Sequence, residues 1–151
     1  MFVRRLSALA AVVVLAAACS GDDRGPKFSQ LDGREFSATS AVGYPWPDQF
    51  ATDRPFKLIF LNGMMALKGS CDQIMAKVTL EDGVLTTARN GASHVGVGCV
   101  GHALDVDNWQ QDLYIVPMRL ALDGRNLTVT ATVHGQRVVV TFEEIAFVGP
   151  S

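Results

Sequence analysis

The chain has 151 residues, a formal charge of −2 and 48% hydrophobic residues, enough for one domain with a sizeable core. Its mildly acidic balance, without a cluster of basic residues, excludes the usual electrostatic footprint of a nucleic-acid binder. It also argues against adsorption to anionic lipid by charge.

The first segment reads as an address. Arg4 and Arg5 precede an unbroken apolar run, Leu9–Leu15, followed by small residues and Cys19. These are the parts of a secretory signal, and the run is shorter than the roughly 20 residues a membrane-spanning helix requires. Leu15-Ala16-Ala17-Ala18-Cys19 resembles the lipobox of a bacterial lipoprotein. The expectation is removal of residues 1–18 and lipidation of Cys19, the alternatives being an uncleaved anchor or an ordinary signal cut elsewhere. Two or three acyl chains on Cys19 hold stably where one does not. The mature chain then carries 11 basic and 15 acidic residues, a formal charge of −4. The expected location is the cell membrane or outer membrane, with the domain extracytoplasmic and monomeric. Residues 19–30 read as a polar tether and residues 31–148 as the domain.

With Cys19 set aside, Cys71 and Cys99 remain. An oxidising compartment favours a disulfide between them, the alternative being a free buried pair. The loop closed has about 29 residues and contributes roughly 3.5 kcal/mol on the chain-entropy model.

From Leu31 onward, short apolar runs alternate with turn dipeptides: Asp32-Gly33, Asn62-Gly63, Asp82-Gly83, Asp123-Gly124 and His134-Gly135. Dipeptides of this kind between alternating runs signal hairpins. Strands are predicted over 34–40, 56–61, 64–70, 74–80 and 84–88, with a short one near 94–97. Two long C-terminal strands follow, 119–122 continuing into 126–133, and 136–142. Leu127, Val129, Ala131 and Val133 alternate with threonines, a period-2 pattern that specifies register. Between the first two strands, Tyr44-Pro45-Trp46-Pro47 cannot occupy a central strand because each proline removes a donor. Tyr44 and Trp46 are either caps on an open end of the core or a binding lip, and they are the candidate binding surface. One helix is predicted, capped by Asp105 or Asp107 and ended by Pro117. It is about three turns long, with Trp109, Leu113 and Val116 inward and Gln110, Gln111 and Asp112 outward.

The ordered set of these features resembles the META domain, the fold of HslJ-like heat-inducible lipoproteins. Leu31-Asp32-Gly33-Arg34-Glu35-Phe36 is similar to the family's opening, with Phe36 where a Trp is usual. Gly69-Ser70-Cys71-Asp72 is similar to its Gly-x-Cys-Asn signature, with Asp72 in place of Asn. The segment ending in Gly98-Cys99, the helix from Asp107 to Pro117, and the hairpin Leu120–Val129 follow in the family's order. The Thr-Met usual before the second cysteine is missing. The resemblance implies an α+β fold, mainly antiparallel β, compact and partly barrel-like, with one helix packed on it. It also implies a role in envelope stress or antibiotic tolerance.

Other chemistry is poorly supported. Cys71, His94, Cys99 and His102 are the residue types of a zinc site, and Cys99-Val100-Gly101-His102 has a ligand-like spacing, but nothing pairs Cys71 at close spacing, an oxidising location favours the disulfide, and the histidines read as polar loop residues. Ser93 and His94 are adjacent, which places their side chains on opposite faces of a strand, and no nucleophile elbow is present. A reactive Cys99 is consumed by a disulfide. Glu143-Glu144 and Asp105/Asp107 read as solvated carboxylates, His134 as an exposed turn residue, and Met64, Met65, Met75 and Met118 as core fillers rather than a copper site. The expectation is a non-enzymatic binding or accessory module with no cofactor and no metal, acting on an envelope protein or ligand. The alternatives are a small hydrophobic-ligand carrier in a barrel mouth and a hydrolase using Cys99 or Ser93 with His94.

Overall fold

The computed structural model describes residues 25–46, 56–69, 71–88, 90, 92–96 and 98–145. The leader, Cys19, residues 20–24, the stretch from Pro47 to Pro55 and the C-terminal six residues lie outside the described residues. A single 3-10 turn, Phe28–Gln30, leads into nine strands and one helix. These are β1 (Glu35–Val42), β2 (Lys57–Leu61), β3 (Met64–Lys68), β4 (Asp72–Glu81), β5 (Val84–Thr87), β6 (Ser93–Gly96), α1 (His102–Ile115), β7 (Met118–Asp123), β8 (Asn126–Val133) and β9 (Gln136–Ile145).

Local chemistry explains most of the hairpins. Asn62-Gly63, Asp82-Gly83 and His134-Gly135 all hold both residues at positive φ, for example 53° and 74° at Asn62 and Gly63. That is the requirement of a two-residue hairpin loop whose twist matches its strands. Leu61 accordingly faces Met64, Glu81 faces Val84 and Val133 faces Gln136. Asp123-Gly124 also turns, pairing Asp123 with Asn126. The stretch predicted as one long strand from 119 to 133 is therefore two strands, β7 and β8, and the C-terminal part holds three.

Every strand pairing is antiparallel, in the order β3-β2-β1-β9-β8-β7-β5-β4, and β4 returns to β3. This closes an eight-stranded barrel, so closure is complete rather than partial. One helix beside nine strands meets the α+β label only loosely. β6 lies outside the ring. It pairs with the first half of β4 along the edge whose second half holds β5. β5 and β6 thus act as one strand interrupted after Ala88, whose N–H still donates to the Lys77 carbonyl.

Inward positions fill the barrel: Phe36, Leu58, Phe60, Met65, Leu67, Leu127, Val129, Val140 and Phe142 are all buried. Phe56 and Phe142 meet edge-to-face at 5.3 Å, as do Phe36 and Phe60 at 6.0 Å, a geometry that adds to simple area burial. Met65 and Met118 are core residues, whereas Met75 faces outward.

The β5–β7 seam is short, with only Val84–Arg119 and Leu85–Met118 paired. α1 packs against β8 and β5, buries Val106 and places Trp109, Leu113 and Tyr114 in the core. It starts at His102 behind Gly101, at φ +62° and without a side-chain cap bond, four to six residues earlier than predicted. Asp105 falls in its first turn and Asp107 is buried, so neither caps it. Val116 closes the helix in extended geometry before Pro117, as expected of a pre-proline residue. The fold also begins earlier than residue 31. Pro26 is buried, and Gly25 packs so closely on Gly83 that an added Cβ would stand 2.6 Å from its Cα.

Candidate functional site in the cleft beneath the helix

The site is built where the start of β4 meets α1. Cys71 and Cys99 form a disulfide, with Cα atoms 5.8 Å apart, which ties the residue before β4 to the segment that enters α1. Gly69 N–H donates to the Asp72 carbonyl at 2.8 Å, bending the chain into β4. Asp72 N–H in turn donates to Asp107 Oδ1 at 3.2 Å. Gln111 Nε2 bridges the two carboxylates, at 2.7 Å from Asp107 Oδ2 and 3.2 Å from Asp72 Oδ2. A Cβ on Gly96 would stand 1.5 Å from Asp72 Oδ1, so only glycine lets β6 lie beside that carboxylate. Gly69, Cys71 and Asp72 thus form a docking point for the helix.

Beyond Gln111 the space between α1 and the β4–β6 edge opens into a cleft of about 310 Å³. Ile74, Ala88, Ala92, Tyr114 and Ile115 provide its apolar walls, while Thr87, His94 and Gln111 provide polar groups. His94 faces Ile74 across the strand pair, which places both on the side that meets the helix. Thr87 Oγ1 donates to the Tyr114 carbonyl at 2.5 Å, satisfying one of the terminal helix carbonyls. Tyr114 anchors the floor. Its hydroxyl donates to the Met65 carbonyl at 2.6 Å, and burial pushes its pKa up to about 12 against a weaker opposing bond from the Ala76 backbone. A volume near 300 Å³ with apolar walls and a few convergent polar groups is at the lower limit of small-ligand sites. A larger groove, about 600 Å³, runs elsewhere between Gly25–Lys27 and β7, and among the described residues no comparable hydrogen-bonded cluster borders it.

No family model matches the chain, and no curated protein matches it. Solved structures do. One, determined by NMR, is similar at 19% identity with a TM-score of 0.56, covering 78% of this chain and 94% of its own. Another, an NMR structure of a protein from Burkholderia xenovorans, is similar at 12% identity with a TM-score of 0.55, covering 96% of this chain and all of its own. The likeness shows a shared fold. At these identities it carries no function.

The residues singled out in the sequence fall in several places. Cys71 and Cys99 come together as expected, so neither offers a thiolate to zinc or for nucleophilic attack. Tyr44 is 4% exposed and lies edge-to-face against Trp109 at 4.9 Å and Trp46 at 5.5 Å. It is a core residue and cannot be a contact surface. Trp46 is half-buried, stacked edge-on to His102 at 5.1 Å. His102 opens α1 and His94 lies on β6, so neither is a loop residue. His134 is exposed in its turn, 2.9 Å from Asp112. Glu144 is paired with Arg34 at 2.7 Å, and that hydrogen bond lowers its pKa.

Two residues expected at the solvent face are interior: Asp107 and Gln110 are each only 2% exposed. A signal was present: Asp107, Gln110 and Tyr114 follow one another at i, i+3 and i+7, the spacing of one helix face. A reading restricted to apolar residues passes over it.

Proposed function

We propose that the protein is a lipid-anchored extracytoplasmic binding module of the META type, without catalytic activity of its own. In this reading the cleft between α1 and the β4–β6 edge takes one small, mainly apolar group. The observation that carries it is the cleft itself, placed beside the disulfide-fixed junction of helix and sheet. The composition of the walls, aliphatic with Thr87, His94 and Gln111 at intervals, suits an apolar body with a hydrogen-bonding end. A carrier holding its ligand inside the barrel is disfavoured, because aromatic and aliphatic side chains occupy that interior. The module reading leaves the envelope-stress role as the biological setting, with Cys19 holding the domain at the membrane.

A photo-crosslinking residue at Ile115, half-exposed at the cleft, tests this in the intact chain in its own cells. It attaches one defined molecule, whereas the same residue at the exposed Val42 does not. Equal labelling at both positions, or none at Ile115, rejects the cleft. Intact mass of membrane-extracted protein tests the anchor: an unmodified Cys19 rejects lipidation whatever the cleft binds.

A further inference from the structure

We infer that the cleft between α1 and the β4–β6 edge takes a small amphiphilic amine, with its ammonium at the Gln111 end and its hydrocarbon body on the aliphatic walls. This rests on the cleft being a binding site and adds the chemical class it selects.

The side-chain donors around the cleft are already engaged. Thr87 Oγ1 donates its one proton to the Tyr114 carbonyl. The Tyr114 hydroxyl donates to the Met65 carbonyl, and the Ala88 N–H to the Lys77 carbonyl. Gln111 Nε2 donates to both Asp107 Oδ2 and Asp72 Oδ2, which uses its two protons. Two carboxylates around that nitrogen fix the orientation of the amide, and Oε1 is the end left over. Gln110 Oε1 is the buried side-chain acceptor without a partner among the described residues. Gln111 Oε1 is therefore open to solvent, with no partner of its own among the described residues. The lone pairs of Thr87 Oγ1 remain available as well. Among the side chains lining the cleft, only His94 keeps a donor to offer. This junction of helix and sheet is thus acceptor-rich, and a ligand that donates completes it.

Charge separates an amine from an alcohol. The cleft is bordered by Gln111, Tyr114 and Ile115 from the last turns of α1. A helix C-terminus carries about half a negative charge, and the last turn here has no basic residue. Pro117, directly after the cap residue Val116, has no N–H to return to the helix. The Asp72 and Asp107 carboxylates lie directly behind the Gln111 amide. The ion pairs among the described residues are elsewhere, at Arg34–Glu144, Lys57–Glu35 and His134–Asp112. No lysine or arginine is among the lining residues. An ammonium is attracted to such a wall and a carboxylate is repelled. The cleft holds about 310 Å³, which suits a short alkyl or single-ring body and not a long acyl chain.

An amide NMR titration of the full mature chain at neutral pH tests this, with hexylammonium, hexanol and hexanoate as probes of one length. Hexylammonium shifts the Ala88, Ala92 and Ile115 amides and binds about tenfold more tightly than hexanol; hexanoate binds more weakly still. Ala88 is an exposed residue of the wall, so substitution there leaves the fold intact. Ala88→Lys puts a fixed ammonium at the cleft and weakens hexylammonium at least about fivefold, whereas Ala88→Met, of similar length and uncharged, does not. Equal affinity for the three probes overturns the inference and leaves a neutral apolar cleft. Tightest binding of hexanoate also overturns it and assigns the polar end to His94 as donor. No shift at these amides with any probe overturns it too, while crosslinking at Ile115 decides separately whether the cleft binds anything.

Discussion

The two sides of this barrel are held by different physics. On the β1–β9–β8–β7 side, strands pair over long registers. β8 and β9 match residue for residue from Asn126–Glu143 to Val133–Gln136, and the inward residues are apolar without exception. On the β4–β5–β6 side the ladder to β7 is two pairs long, and the start of β4 is held to α1 and the segment before it by a disulfide and a buried polar cluster. The first side is redundant, since many similar contacts share the load and no single polar group decides it. The second depends on a few specific long-range bonds. It is also where the cleft and the acceptor-rich junction lie, as expected if binding groups are placed where the scaffold is not simply a packed sheet.

The comparison can be broken most forcefully in the redundant side. Phe142 is fully buried between β9 and the aromatic ring of Phe56. Phe142→Ala is expected to lower the unfolding free energy by about 3–5 kcal/mol, read from chemical denaturation, without loosening the helix selectively. Removing the disulfide is the corresponding cut on the other side. The Cys71→Ser, Cys99→Ser double variant is expected to lose roughly 3.5 kcal/mol. Amide exchange should rise in α1 and β6 while β8 and β9 stay protected. Equal loss of protection on both sides would show that the two are not separable.

A smaller effect sharpens the role of Tyr114. Its pKa is pushed up to about 12, so above pH 10 the unfolded chain releases the phenol proton while the folded chain keeps it. Stability from this group is therefore complete below pH 10 and falls by up to about 1.4 kcal/mol per pH unit between 10 and 12. Tyr114→Phe abolishes that alkaline slope. It also costs about 1–2 kcal/mol at pH 7, because the Met65 carbonyl loses its donor.

The smallest effect is at Glu144. Arg34 holds its carboxyl below the ordinary value, so its contribution is present above the normal glutamate range and is lost as pH falls through the lower folded value. Glu144→Gln costs about 1 kcal/mol at neutral pH, since the pair is half-buried but still screened by solvent, and flattens the acid limb of a Tm-against-pH curve.

Much of the barrel was legible because its determinants are local. Asn62-Gly63, Asp82-Gly83 and His134-Gly135 specify two-residue loops through their tolerance of positive φ. The alternation in Leu127–Val133 specifies which face is buried. The helix was legible in its apolar residues and at Pro117. Its start was not, because Gly101 and the Cys99 bridge turn the chain without a capping side chain. The candidate site was least legible: Asp107 and Gln110 are polar residues on a buried face, and nothing local distinguishes them from solvated ones.

By itself, then, the sequence determined the strands, most of the turns and the presence of one helix, since each depends on residues near in sequence, and it made a Cys71–Cys99 bridge the expected pairing once Cys19 is set aside. Only the tertiary structure decided that β4 returns to β3 to close the ring. It also decided that β5 and β6 share one edge of β4, that Tyr44 is interior, and that Asp72, Asp107, Gln110 and Gln111 meet beside a cleft. The ring joins through β1–β9 and β5–β7, Tyr44 is buried against Trp109 and Asp72 meets Asp107 only through contacts between residues more than 30 positions apart, where burial is set by what packs opposite and not by the residue's own polarity.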